Sequence, residues 1–492
     1  MLAGTREIGK AQAKGSLCFP ESSSVSEFRA AFPGTSECGK WIRAMLRMVN
    51  RRPTYECLFR SLILTDRGAP MLKVFLTVAL ATAPAFSPCI AGGESLVSIP
   101  SNQEEPQPRE SRPNMIGAYG SWLADKVLGS GPASLSFRTG KWKDLDSWRS
   151  VARGRVLDRI APVDLGPTPQ VRVEYEGTYD GLHVERLTWQ LAGGPRSEAV
   201  FLKPADAGGR LPAILALHDH GGKKFLGWRK IARIEENPWK IQSEHQDHYY
   251  GGAAWANEIA KRGYAVLVHD TFPFGSRRVL AADVPERIRQ GAGDPEPEDE
   301  EGVNKYNAFA GAHENIMEKS LLSAGTTWPG VYVTEDRRAL DVLAARPDVD
   351  SSRMGCAGLS GGGMRTVFLG GLDSRVRCAV VVGFMTTWRE FLLDKCFTHT
   401  WMTYVPLLPR ELDFPEILAL RAPAATMVLN CTEDPLYTVA EMKRADLQPL
   451  PGCVSLLLFY PGVRFAHPRL SSFRPAGADF GTAEVVPSRL WP

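Results

Sequence analysis

A dominant charge is missing from this chain. Its 58 Lys and Arg stand against 55 Asp and Glu, a formal net charge of +3 over 492 residues, and no long basic run breaks the balance. A protein that binds nucleic acid needs a concentrated positive face, so that partner class is excluded. Long apolar runs are missing too: no stretch reaches the roughly 18 uncharged apolar residues of a membrane-spanning helix, so the sequence predicts no integral membrane segment. Disulfide material is thin. Of nine cysteines, Cys18, Cys38, Cys57 and Cys89 precede the expected mature start. The remaining five, Cys356, Cys378, Cys396, Cys431 and Cys453, cannot all pair within the chain. Four of these (all but Cys396) fall in or beside strand-like apolar runs, where small thiols belong to cores. What is present is apolar material: at 44% it suffices for one large α/β core with additions.

The most telling pentapeptide is Gly358-Leu359-Ser360-Gly361-Gly362, between an apolar run at 354–357 and a helix-compatible one at 364–369. A serine hydroxyl is a poor nucleophile unless a sharp bend presents its Oγ at the end of a sheet. That bend leaves no room for side chains two positions away on either side. Glycines fill both places, and the segment reads as a nucleophile elbow with Ser360 at its apex.

Such a serine needs an acid and then a histidine later in the chain, each just beyond a strand. Residues 425–430 form an apolar run that opens into Cys431-Thr432-Glu433-Asp434-Pro435. Pro435 cannot continue a central strand, so Asp434 falls in a loop past the strand end. Residues 454–460 form another run, closed by Pro461-Gly462, and His467 is the one histidine downstream of Asp434. Upstream, the run 211–217 opens onto His218-Asp219-His220-Gly221-Gly222, a glycine loop suited to an oxyanion hole. The N–H groups of Gly361 and His220 are its expected donors. His218 and His220, with His245, Asp247 and His248, also permit a metal reading. Two ligands two residues apart lack a third at defined spacing, however, and a loop-shaping role fits these histidines better. No metal or organic cofactor is expected.

Residues 71–73 (Met-Leu-Lys), the apolar 74–86 and the small-residue segment 89–93 have the three parts of a secretory signal. The expected organisation is a non-native or disordered extension over 1–70, with translation starting at Met71, and a signal peptide over 71–91. A linker at 92–114, a helical N-terminal cap at 115–165, a catalytic domain at 166–470 and an irregular tail at 471–492 follow. A cytoplasmic tail on an uncleaved signal anchor remains the alternative for the first segment. Within the catalytic domain, 171–176, 183–190 and 198–202 read as antiparallel edge strands. Runs at 211–217, 265–269, 354–357, 376–382, 425–430 and 454–460 alternate with helix-compatible stretches at 253–262 and 331–345. That alternation predicts an α/β fold with a doubly wound, mostly parallel sheet. Ligands in such sheets sit beyond the carboxyl ends of the strands, where His220, Asp270, Ser360 and Asp434 gather. Asp270 is read as a loop-shaping carboxylate and the acidic 291–304 as a solvated surface excursion. Trp255, Trp328, Trp388 and Trp401 are either core residues or a sugar-binding rim.

The segments 218–222 (HDHGG), 249–256 (YYGGAAWA), 261–278 (KRGYAVLVHDTFPFGSRR), 353–365 (RMGCAGLSGGGMR) and 433–437 (EDPLY) together resemble secreted bacterial α/β-hydrolases of the acetyl xylan esterase and dienelactone hydrolase-like group. The resemblance implies an α/β-hydrolase fold, hydrolysis of carboxylic esters with Ser360 as nucleophile and Asp434 as acid, and short acyl esters of carbohydrate as substrates. It departs at the carboxyl end. Relatives carry a histidine just after Tyr-Pro-Gly, whereas here Val463-Arg464 follow Tyr460-Pro461-Gly462 and His467 comes later. Two other readings stay open: a catalytically silent hydrolase-fold binding protein, and a peptidase on the same triad, against which the lack of any preceding blade repeat counts. Oligomeric state is not legible.

Overall fold

The computed structural model describes residues 113–446 and the backbone of a last strand, Leu457–Tyr460. Residues 1–112, Cys453, His467 and the tail therefore lie outside the described residues, as do the expected signal peptide and most of the linker. Among the described residues nine strands make one sheet: β1 (Val171–Tyr179), β2 (Leu182–Trp189), β3 (Ser197–Pro204), β4 (Leu211–Leu217), β5 (Ala265–His269), β6 (Val349–Leu359), β7 (Val376–Val382), β8 (Ala425–Cys431) and β9 (Leu457–Tyr460). Their order is β1-β2-β3-β5-β4-β6-β7-β8-β9. The first three strands and the β3–β5 pair are antiparallel, and every pairing from β5 through β9 is parallel. This is the doubly wound, mostly parallel sheet with antiparallel N-terminal strands that the alternation predicted.

The parallel strands read as continuous apolar runs because both of their faces are covered. All five residues of β5 and the last five of β4 are buried. One apolar cluster, centred on Leu215, Leu267, Cys356, Ala379 and Val428, fills one face; a second, built on Ile214, Val266, Ala357, Val380 and Met427, fills the other. Cys356, Cys378 and Cys431 are buried as expected, and burial pushes the Cys356 thiol up to about 12.

Helix α1 (Leu145–Ile160) starts at a capping box between Asp144 and Ser147 and turns Trp148, Ala152, Val156 and Ile160 inward at every fourth position. It packs in the first cluster beside α5 (Trp328–Ala344), and the Ile160 carbonyl accepts the Thr327 hydroxyl at 2.7 Å. Between them come α2 (Lys240–Tyr250), α3 (Trp255–Ala260) and α4 (Glu300–Ser323); α6 (Gly361–Leu372) follows β6. Among the described residues no helix is long and apolar enough to cross a membrane.

Neither α2 nor α4 was legible in the sequence. The acidic segment 291–304 is indeed mostly exposed, but its end is not irregular. Asp299 accepts the Gly302 N–H at 3.0 Å and starts a 24-residue helix. Glu300 and Glu301 sit in its first turn, where carboxylates complement the positive end of the helix dipole. The composition that reads as solvated surface is also that of a helix start. Val303, Tyr306 and Ala310 then dock α4 onto Phe225, Leu226 and Ile241 in a third, smaller cluster.

Candidate functional site

The chain reverses its direction of travel across the sheet at β4, which lies between β5 and β6. Such switch points leave a crevice beyond the strand ends. Register sets those ends level: Leu217 pairs with Gly358, Leu359 with Val382, Val382 with Leu429, and Cys431 with Tyr460. The loops after β4, β6 and β8 therefore open at one end of the sheet, the end at which β9 stops.

Ser360 stands between β6 and α6 with φ 54° and ψ −115°. For a residue other than glycine this is strained, at a cost of the order of 1–3 kcal/mol. The strain is held from both sides. The Ser360 N–H donates to the Val382 carbonyl at 2.8 Å, and its own carbonyl accepts the Met364 N–H at 2.9 Å. The flanking glycines are required by close approach: a Cβ on Gly358 would stand 2.4 Å from the Gly362 backbone, and one on Gly362 would stand 2.1 Å from the Leu217 carbonyl oxygen. A Cβ on Gly361 would meet the His220 main-chain nitrogen at 2.9 Å. The structure thus brings Ser360, Gly361 and His220 together.

The loop after β4 is braced by buried charge. Asp219 Oδ2 faces His245 Nε2 at 3.1 Å and accepts the Tyr250 hydroxyl. Burial opposes its ionisation, but His245 and Lys230 outweigh burial and hold its carboxyl well below the usual range. His220 Nδ1 accepts the Gly222 N–H at 3.1 Å, so the proton of a neutral ring lies on Nε2 and is donated to Glu314 Oε1 at 2.5 Å. Glu314 also accepts from Lys224 Nζ, from Thr400 Oγ1 at 2.7 Å and from the Trp401 N–H at 3.2 Å. Glu314 is buried; His220 and Lys224 outweigh that burial and keep its carboxyl well below the usual range. His218 Nδ1 donates to the Asp219 carbonyl at 3.0 Å. These rings shape the loop, as the sequence suggested, and among the described residues no cluster of three metal-ligating side chains exists.

Asp434 lies three residues beyond β8, two strands from β6. Its Oδ1 accepts the Leu436 N–H at 2.9 Å, an Asx turn. Burial pushes its carboxyl up to about 6, against the pull of that N–H and of Lys395. The ring of His399 packs 4.8 Å from that of Tyr437, so this imidazole lies beside the Asp434 loop. His467 is outside the described residues. Asp270 has the loop-shaping role expected of it, accepting the Trp228 N–H at 2.6 Å and the Ser276 N–H at 2.7 Å, with burial pushing it up to about 6. Of the four tryptophans, Trp255, Trp328 and Trp388 are core residues, and Trp401 alone is exposed, at 42%.

Glu314, Lys224 and Lys230 were missed by sequence reasoning. Tyr306, Ala310 and Glu314 recur every fourth residue on one face of α4, and that period was the available signal. Nothing in sequence marks Lys230, which neither a motif nor a charge run singles out.

No protein-family model matches the chain. It is 27% identical over 257 residues, 51% of this chain and 70% of the other, to a Bacillus subtilis (strain 168) protein named "Putative hydrolase YtaP". Among solved structures it is similar to a Bacteroides fragilis NCTC 9343 protein described as a "putative acetyl xylan esterase", at 18% identity and a TM-score of 0.47, covering 64% of this chain and 75% of that one. It is also similar to a glucuronoyl esterase from Solibacter usitatus, at 14% identity and a TM-score of 0.45, covering 67% and 93%.

Proposed function

We propose that this chain is a serine esterase that hydrolyses carboxylic esters, with short acyl (acetyl) esters of carbohydrate as its substrates. The observation that carries the reading is the strained Ser360 at the end of β6 with the His220 main-chain nitrogen against Gly361. A serine held in this conformation, beside two main-chain amides, is what acyl transfer requires. Likeness to a protein named a hydrolase and to others described as carbohydrate esterases is consistent with it.

In this reading His467 takes the Ser360 proton as Oγ attacks the ester carbonyl, and the N–H groups of Gly361 and His220 receive the oxyanion. The alcohol leaves with that proton, and water then attacks the acyl-enzyme to release the acid and restore Ser360. Asp434 orients the imidazole and stabilises its charged form. No step calls for a metal or organic cofactor. We assign residues 71–91 to a signal peptide and the mature protein to the secreted or periplasmic space, where acylated polysaccharide is met.

The test is release of p-nitrophenol from its acetate ester. Turnover by the wild type that disappears in Ser360→Ala and in His467→Gln supports the reading. Well-folded wild type without turnover between mildly acidic and mildly alkaline pH favours the silent binding protein.

A further inference from the structure

Building on the esterase reading, we propose that Lys230 is a positioning residue that locks the Asp219–His220 peptide so that the His220 N–H faces the oxyanion. Lys230 ends a short 3-10 turn, Trp228–Lys230, and its side chain has no exposure at all. An ammonium so placed is costly unless its donors are used. Its Nζ lies 2.8 Å from the Asp219 carbonyl oxygen and 2.7 Å from that of His220. The nearest carboxylate oxygen, Asp219 Oδ1, is farther, at 3.9 Å, because His245 and Tyr250 hold the other end of that carboxylate. The ring of Phe274 completes the cage, with its centroid 4.3 Å from Nζ. The charge is therefore aimed at main chain and only secondarily at a counterion.

That aim has a geometric consequence. A trans peptide is rigid and planar, with its C=O and N–H pointing in opposite directions. Lys230 Nζ and His218 Nδ1 both donate to the Asp219 oxygen. Fixing that oxygen fixes the His220 N–H on the opposite edge of the same plane. A turned peptide would point the N–H at an ammonium and bring a carbonyl oxygen toward Gly361, where an oxyanion would meet repulsion instead of a donor.

The experiment compares crystal structures of Lys230→Met and Lys230→Gln with their steady-state kinetics on p-nitrophenyl acetate. In Lys230→Met the Asp219 carbonyl is expected to turn from its wild-type direction, and kcat to fall about 10²–10³-fold with KM within about threefold, as for loss of one oxyanion donor. Lys230→Gln keeps one amide donor, and a kcat loss of about five- to fiftyfold with KM again held is expected. Wild-type kcat in Lys230→Gln overturns the proposal whether or not Lys230→Met folds. So does a folded Lys230→Met whose peptide stays in place. Wild type without esterase turnover defeats the functional reading instead, and the direction of the peptide in the two variants still decides the role of Lys230.

Discussion

The main-chain nitrogen of His220 lies so close to Gly361 that a Cβ added there would stand 2.9 Å from it. The two backbone segments expected to receive a negative oxygen are therefore in contact with no side chain between them. Gly361→Ala must separate them. We expect kcat for p-nitrophenyl acetate to drop about 10²–10³-fold, with the melting temperature lowered by only a few degrees, because the clash is local. Gly358→Ala should instead impair folding, since its Cβ would strike the Gly362 backbone at 2.4 Å.

Glu314 joins the loop after β4 to the 396–403 segment through His220, Lys224, Thr400 and Trp401. Removing one partner of a buried charge pair leaves the other uncompensated, at about 3–5 kcal/mol. Glu314→Leu should lose that much in urea unfolding. Adding Lys224→Met should restore at least half of it, since the stranded ammonium is gone; a purely additive double variant would show the pair uncoupled.

Much of this arrangement was legible beforehand. Residues such as Val380 and Leu267 sit in unbroken apolar runs that only a doubly covered parallel strand needs, and Ser360 is bracketed by glycines that the elbow requires sterically. Helix α4 was hidden because Asp299, Glu300 and Glu301 serve equally as exposed acidic surface and as a helix start. Lys230 was hidden for a deeper reason: its role depends on two carbonyl oxygens that only folding brings to its ammonium, and main-chain partners leave no trace in sequence.

Glu318 on α4 is buried, accepts the Trp328 N–H at 3.3 Å, and is pushed by burial up to about 7. With a folded value above the unfolded one, the native state holds the proton more tightly, so stability falls as pH rises from about 4.5 and the loss is complete above about 7. The full effect is of the order of 3 kcal/mol. Glu318→Gln should match the wild type at pH 4 and exceed its melting temperature at pH 8.

Asp434→Asn keeps the shape of the turn but cannot stabilise an imidazolium. Its kcat should fall about 10³–10⁴-fold with KM little changed, measured on the same acetate ester. Retained turnover would move the acid role to another carboxylate.

Ser360 as an activated nucleophile is read most directly by covalent labelling. A fluorophosphonate probe incubated with the folded protein, followed by mass spectrometry of its peptides, should give one adduct, on Ser360, absent from Ser360→Ala and slowed in Lys230→Met. An unlabelled folded protein, or an adduct on another residue that persists in Ser360→Ala, would contradict it.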